Sequence, residues 1–208
     1  MKHAITTLAL AACTLLTTVS TSAMASAVVG QPAPAFSATD TAGRTVSLAD
    51  FKGRHVVLEW VNPGCPYVRK HYGAQNMQAT QKAATGKGAV WLTVSSTAPE
   101  HGDYMAPARL AGWMKEQGAA ATATLMDDDG RLGRAYGART TPHMYVIDPQ
   151  GRLVYAGAID SKPSANPADI PGATNHVTQA LADAMAGKPV GTPATRAYGC
   201  TVKYANAG

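Results

Sequence analysis

Residues 56–71 read VVLEWVNPGCPYVRKH, and this stretch decides the fold. Its first half is an apolar run typical of a buried strand, and the Pro-Gly pair that follows ends the strand. Pro66 then stands where the first turn of a helix accepts proline. The pattern therefore predicts a strand, a tight turn and a helix, with Cys65 at the N-terminus of the helix.

A thiol in that position is expected to be reactive. The free backbone N–H groups and the dipole at a helix N-terminus favour an anion. They should lower the pKa of the Cys65 thiol and so raise the fraction of thiolate, which is the reactive form. The alternative is a buried and inert cysteine, since free cysteine is among the most buried residue types.

The N-terminal residues 1–27 have the composition of a removed signal peptide. A short positive segment precedes an apolar run, and small-x-small cleavage sites lie at 23–27. Thr and Ser interrupt the apolar run, which disfavours a permanent membrane span. Cys13 follows Leu-Ala-Ala as in a lipoprotein box, but Leu15 and Leu16 continue the apolar run after it, so lipidation is not expected. The mature protein is expected in the periplasm or outside the cell.

The rest of the chain divides into one domain, 28–187, and a Pro/Gly-rich tail, 188–208. The net charge is +5 and the basic residues are scattered, so no nucleic-acid partner is expected. Cys65 in the domain and Cys200 in the tail remain once the signal peptide is removed. An even pair of cysteines in an exported protein can form a disulfide.

Apolar and amphipathic segments alternate along the domain. The patterns predict strands at 45–48, 56–61, 89–95, 122–126, 143–148 and 153–159, and helices at 65–84, 106–117, 130–136 and 175–185. This order indicates an α/β fold with a central mixed sheet flanked by helices on both faces.

Two separated motifs resemble the thioredoxin-like redoxin family, which includes thiol-specific antioxidant and alkyl hydroperoxide reductase proteins. The first is PAF at 34–36, continued by LADFKG at 48–53 and VVLEW at 56–60. The second is TPHMYVID at 141–148. The tail sequence YGCTVKY, at 198–204, resembles the end of an exported bacterial subgroup with a single active-site cysteine. The resemblance covers about 30–160 and implies a thioredoxin-like fold.

The resemblance also implies roles for single residues. Cys65 aligns with the thioredoxin nucleophile, and Glu59 falls where thioredoxins bury a carboxylate that accepts a proton during exchange. Thr141-Pro142 resembles the cis-proline loop that lies beside the nucleophile and offers backbone groups to an extended substrate. A solvated Glu59 and an ordinary trans Pro142 are the alternatives.

Further residues flank these positions and are expected to contact substrate, namely Pro66, Tyr67, Arg69, Thr141 and His143. Arg69, Lys70, His71 and His143 could also lower the pKa of the thiol by proximity. For these four side chains a solvated location is expected.

Three positions depart from the family patterns. Thioredoxins have a second cysteine three residues after the first, where this chain has Val68. Peroxiredoxins have Pro and Thr or Ser seven and three residues before the reactive cysteine, where this chain has Leu58 and Asn62. Neither the dithiol reductase pattern nor the peroxidase pattern is therefore complete.

Four functions remain open. A thiol-disulfide oxidoreductase would attack a disulfide with Cys65 and resolve the mixed intermediate with Cys200. A peroxidase would oxidise Cys65 to a sulfenic acid that condenses with Cys200. A copper-binding module would use Cys65, His143 and Cys200 as ligands. A redox-inert scaffold would keep a structural disulfide.

We expect the first of these functions. Its partners would be protein or small-molecule thiols and disulfides, or hydroperoxides if the chain is a peroxidase. The electron donor is not indicated by the sequence, and no cofactor or bound metal is expected.

Overall fold

A computed structural model of the chain describes residues 27–205. Cys13 and the rest of the predicted signal peptide up to residue 26 lie outside the described residues. Between 27 and 205, no helix is long and apolar enough to cross a bilayer.

The elements alternate much as the sequence patterns predict. The strands are β1 (Ser37–Asp40), β2 (Thr45–Ser47), β3 (Val56–Trp60), β4 (Val90–Ser95), β5 (Ala123–Met126), β6 (Thr140–Thr141), β7 (His143–Ile147), β8 (Leu153–Gly157) and β9 (Cys200–Thr201). The helices are α1 (Pro66–Gly73), α2 (Asn76–Thr85), α3 (Pro107–Glu116), α4 (Arg131–Tyr136) and α5 (His176–Met185). Short 3-10 turns lie at Leu48–Phe51 and Pro167–Asp169.

The main sheet has the order β2-β1-β5-β4-β3-β7-β8. Strands β3, β4 and β5 run parallel, whereas β7 and β8 continue the sheet antiparallel on the other side of β3. Strand β3 is buried along its whole length, as its apolar sequence predicts. The α/β fold with a mixed central sheet is confirmed.

Hydrophobic side chains fill both faces of the sheet. One cluster lies under α1, α2, α3 and α5 and includes Cys65, Tyr72 and Trp91. The other cluster lies under α4 and includes Trp60 and Tyr145. Because side chains alternate along a strand, neighbouring residues of β3 and β7 enter different clusters. This alternation decides which predicted site residues can reach Cys65.

The predicted helix 65–84 is wrong, because the structure divides it into α1 and α2. Helix α1 ends at Gly73, a poor helix former, and Gln75 then takes a left-handed conformation with φ of 59°. At this break the Gln78 side-chain amide donates a hydrogen bond to the Tyr72 backbone carbonyl at 2.9 Å. Strands β1, near the N-terminus of the domain, and β9, in the tail, were not predicted from the sequence.

The tail crosses the domain and is bonded to it along its length. Thr195 N–H donates to the Ala156 carbonyl at 3.1 Å, and Val202 N–H donates to the Arg139 carbonyl at 3.0 Å. Further on, Ala98 N–H donates to the Lys203 carbonyl at 2.8 Å. These bonds bring Cys200 to the N-terminal end of α1.

Candidate active site

The turn between β3 and α1 fixes the position of Cys65. Cys65 N–H donates to the Asn62 carbonyl at 3.0 Å, and Gly64 N–H donates to the Asn62 side-chain oxygen at 2.7 Å. Cys65 is the residue that caps α1, and Pro66 is the first residue of the helix. The strand, turn and helix predicted from residues 56–71 are thus present, and the buried Asn62 amide shapes the turn.

The Cys65 sulfur points at the loop that begins β7. Its Sγ donates to the Thr141 carbonyl at 3.0 Å, and the Thr141–Pro142 peptide bond is cis, as expected. Thr141 lies in β6, where its direct partner in the two-stranded sheet is Cys200 of β9. Cys65 and Cys200, the two free cysteines of the described residues, therefore both lie next to Thr141.

The environment separates the acidities of the two thiols. Burial raises the pKa of Cys65, but the Cys200 thiol, the Thr141 side chain and the Val68 backbone N–H together outweigh burial, so the net pKa lies below its ordinary value. Burial, reinforced by the Cys65 sulfur, raises the pKa of Cys200 to about 12. In this pair Cys65 is the thiol that ionises first, and Cys200 holds its proton.

Glu59 is completely buried on the same face of the sheet as Cys65. Its Oε2 accepts from Trp91 Nε1 at 2.7 Å and from Gln81 Nε2 at 3.0 Å, and its Oε1 accepts from the Tyr72 hydroxyl at 2.8 Å. Burial raises the pKa of Glu59 in spite of these donors. The solvated alternative is therefore wrong.

The hydrogen bonds also show where Glu59 carries a proton. The indole of Trp91 can only donate, and the Gln81 amide is held in its orientation because its oxygen accepts from Ala120 N–H at 2.8 Å. The Tyr72 hydroxyl can turn and accept. A protonated Glu59 therefore carries its proton on Oε1, towards Tyr72.

This geometry predicts that Glu59→Gln folds and changes the pH dependence of stability. Because burial raises the pKa of Glu59 in the folded state, the protonated carboxyl favours the folded over the unfolded chain. This contribution to stability is fully present below the ordinary pKa of 4.5 and is lost as the pH rises through the folded-state pKa. Across that window the wild-type free energy of unfolding should fall by up to about 1.4 kcal/mol per pH unit. Glu59→Gln, whose NH₂ takes the place of the protonated Oε1, should lack this slope.

Denaturant unfolding at several pH values measures the effect. Glu116→Gln, at an exposed position of α3, is the matched control and should keep the wild-type slope. Equal slopes for wild type and Glu59→Gln would show that Glu59 stays ionised throughout.

Of the other expected substrate contacts, Pro66, Tyr67 and Arg69 lie at the start of α1, whereas His143 lies on the other face of the sheet. Pro66 is exposed at the start of α1, and the Tyr67 ring packs edge-on against Tyr198 of the tail with ring centroids 5.8 Å apart. Arg69 is exposed, as expected, and its Nε donates to the Pro63 carbonyl at 2.9 Å. Arg69 therefore stabilises the turn before Cys65 from outside.

His143 does not join Cys65. It lies opposite Trp60 in the β3–β7 register, and its ring packs on Tyr145 with centroids 4.6 Å apart, in the cluster on the other face of the sheet. His143 is half-buried rather than solvated as expected, and burial lowers its pKa to about 4. The copper set of Cys65, His143 and Cys200 is not assembled, and residues 27–205 contain no cluster of three metal-ligating side chains.

A buried polar cluster next to the site was missed from the sequence. Lys70 and His71, expected in solvent, are both buried and face Asp160. Lys70 Nζ lies 3.7 Å and His71 Nε2 lies 3.9 Å from Asp160 Oδ2. The Tyr198 hydroxyl donates to Asp160 Oδ1 and lies 3.3 Å from His71 Nε2. We call these four residues, Lys70, His71, Asp160 and Tyr198, the tail lock.

The tail lock joins three parts of the chain that are distant in sequence. It links α1, the segment after β8 and the residue two positions before Cys200. Burial lowers the pKa of His71 to about 4, so the imidazole is neutral at physiological pH and the charges of the lock are those of Lys70 and Asp160. No local pattern marks these residues, although a tyrosine so close to Cys200 was a possible signal.

Comparison with known proteins places these observations in a family. The model of the AhpC/TSA family matches residues 29–156. That range contains Glu59, Cys65 and Pro142, but it ends before Asp160 and Cys200. The family match therefore covers the region around Cys65, and the tail lies outside it.

Solved structures show the same fold. A hypothetical protein from Sinorhizobium meliloti 1021 is 24% identical with a TM-score of 0.73, and the match covers 88% of this chain and 97% of that chain. An uncharacterised conserved protein from Geobacillus kaustophilus is 24% identical with a TM-score of 0.74, covering 87% and 94%. The thioredoxin domain of a thiol-disulfide oxidoreductase from Bacteroides vulgatus is 28% identical with a TM-score of 0.50, covering 63% and 89%.

Proposed function

The chain belongs to the AhpC/TSA family, and from that premise we propose that it is a periplasmic thiol-disulfide oxidoreductase in which Cys65 is the nucleophile and Cys200 the resolving thiol. The single observation that carries the proposal is the pairing of Cys200 with Thr141, which places one thiol against the other. The position that holds the second cysteine in thioredoxins is Val68, buried in the core, and the tail supplies the missing thiol instead.

The order of the two steps follows from the lowered pKa of Cys65 and the raised pKa of Cys200. The Cys65 thiolate attacks one sulfur of a disulfide RS–SR, the S–S bond breaks, and RS⁻ leaves with the electron pair. A mixed disulfide on Cys65 no longer carries negative charge. Since the Cys65 sulfur is one cause of the raised pKa of Cys200, after burial, loss of that charge eases deprotonation of Cys200.

The second step forms the protein disulfide, which an external thiol must reduce before the next turnover. Cys200 releases its proton to solvent, and its thiolate attacks the Cys65 sulfur and expels the second RS⁻. The protein dithiol is thereby oxidised to one disulfide, while RS–SR is reduced to two thiols that take up the protons. Run backwards, the same steps oxidise small thiols. In that direction RS⁻ attacks the Cys65 sulfur of the bridge, and Cys200 leaves with the electron pair.

Glu59 fits a supporting role in this proposal. It is buried on the same face of the sheet as Cys65, and burial raises its pKa. Its hydrogen bonds go to Tyr72, Gln81 and Trp91, so a proton reaches it only through that network or through water.

The AhpC/TSA family also favours a second function, thiol peroxidase. Cys65 would attack ROOH, release ROH and become a sulfenic acid, which Cys200 would convert to a disulfide with loss of water. The residues around Cys65 support this less well. Leu58 lies in the core cluster on the other face, the Asn62 amide oxygen is used by the turn, and the Arg69 Nε is held by Pro63.

A turnover assay separates the two functions. The purified protein is supplied with excess reduced glutathione and either hydroxyethyl disulfide or hydrogen peroxide, and the formation of oxidised glutathione is followed. Faster turnover with the disulfide supports the oxidoreductase. Turnover with peroxide alone would overturn the proposal in favour of the peroxidase, and no turnover with either would favour an inert scaffold.

A further inference from the structure

We propose that residues 198–204 form a built-in strand that fills the place of an extended polypeptide substrate beside Cys65, so that the folded enzyme exchanges with low-molecular-weight disulfides and thiols. The inference rests on the proposed function and adds its substrate class. We call residues 198–204 the covering strand.

The backbone contacts carry the first step. The short strand β6 precedes Pro142 and would present an unpaired edge next to the Cys65 sulfur. An unpaired edge is a template for an extended chain, which adds to it by main-chain hydrogen bonds. Here β9 pairs with both residues of β6, and Val202 N–H donates to the Arg139 carbonyl at 3.0 Å. The edge is therefore already occupied by the chain itself.

The fit at Gly199 shows that this place is shaped for the covering strand. Gly199 has φ of 139°, and a Cβ built on it would lie 2.1 Å from the Thr141 carbonyl oxygen and 2.7 Å from the Thr141 carbonyl carbon. Real Cβ atoms do not approach backbone so closely. Only glycine therefore allows the strand to lie against Thr141 at this position.

Both ends of the covering strand are held. At the first end, Tyr198 is bonded to Asp160 in the tail lock, where Lys70 and Asp160 are almost fully buried and paired. At the other end, the Tyr204 hydroxyl donates to the Ala138 carbonyl at 2.8 Å. Releasing Tyr198 would remove a part-buried hydrogen bond and leave the buried Asp160 with one partner fewer, which is costly.

The covering strand limits what reaches the nucleophile. Cys65 is only 2% exposed, while Cys200 is half-buried at the rim. A polypeptide disulfide brings flanking backbone that needs the edge of β6, whereas a small disulfide does not. If the open form is populated at about 1%, polypeptide exchange is slowed about hundredfold relative to a permanently open site.

Gly199→Ala tests the inference because it displaces the covering strand without removing either cysteine. The rate at which the free Cys65 thiol is lost is compared for oxidised glutathione and for insulin, so that only the first step, which does not need resolution by Cys200, is measured. The wild type should react much faster with oxidised glutathione, and Gly199→Ala should raise the insulin rate by at least about tenfold. Gly191→Ala, in the same tail with no heavy atom closer than 3.7 Å to the added Cβ, is the matched control and should behave like wild type.

The outcomes distinguish the inference from the function it rests on. Equal wild-type rates with insulin and oxidised glutathione would overturn the inference and leave the oxidoreductase standing. No reaction with either would overturn the oxidoreductase itself. An unchanged insulin rate in Gly199→Ala would also contradict the inference.

A second variant covers the case in which Gly199→Ala does not fold. Tyr198→Phe keeps the ring that packs on Tyr67 and removes only the hydroxyl of the lock. We expect faster alkylation of Cys65 in the Cys200→Ser background by a bulky maleimide, with little change for iodoacetamide. Equal acceleration for both reagents, or for neither, would contradict a covering strand that selects by size.

Discussion

Cys65→Ser should abolish disulfide exchange, with a loss on the order of 10³-fold or more, as is typical when a covalent nucleophile is removed. A serine hydroxyl in the same turn is not ionised, so neither the first attack nor the later displacement can occur. The backbone N–H of residue 65 can still donate to the Asn62 carbonyl, and the serine hydroxyl can donate to the Thr141 carbonyl as the thiol does. The fold should therefore be kept. The rate of formation of oxidised glutathione from reduced glutathione and hydroxyethyl disulfide measures the loss.

The control for this variant is Thr201→Ser, an exposed neighbour of the second thiol on β9. It should keep wild-type turnover. Substantial activity in Cys65→Ser would mean that Cys200 alone carries the reaction, contrary to its pKa of about 12.

Cys200→Ser should perform the first step and then stop. Cys65 attacks the disulfide, but no thiol stands opposite Thr141 to resolve the product, so one RS– group per chain should remain on Cys65. Turnover at low external thiol should fall by about 10²-fold, since the effective concentration of a neighbouring thiol is lost. Intact-mass measurement after brief exposure to oxidised glutathione detects the adduct.

Excess small thiol should partly restore turnover of Cys200→Ser, because it can attack the mixed disulfide from outside. Wild-type turnover at low thiol would show that Cys200 is not the resolving residue. Absence of the adduct would show that Cys65 needs Cys200 even to react, as a stabiliser of its thiolate.

The region around Cys65 was predictable because its signals are local. An apolar run, a Pro-Gly break and a proline after the cysteine are enough to define a strand, a turn and a helix start. The positions of Glu59 and Pro142 followed from a family resemblance that spans both motifs. The burial of Glu59 and the cis bond at Pro142 are then seen in the structure.

The tail and its lock were not predictable for the opposite reason. Lys70 and His71 follow the pattern of a solvated helix face, and only Asp160 and Tyr198, far along the chain, give them buried partners. Strand β9 is two residues long and has no periodicity to detect. The face on which His143 lies is set by the register of β7 against β3, which a single sequence does not specify.

The central claim is that Cys65 and Cys200 form one reversible redox pair, and a redox titration tests it most directly. The protein without the predicted signal peptide, residues 28–208, which lacks Cys13, is equilibrated in glutathione buffers of graded potential, quenched with acid and alkylated, and its intact mass and peptides are determined. We expect one two-electron transition between the dithiol and a Cys65–Cys200 disulfide that lacks two hydrogens, with little glutathione adduct at any potential. A persistent glutathione adduct on Cys65 with Cys200 still free across the series would contradict the claim.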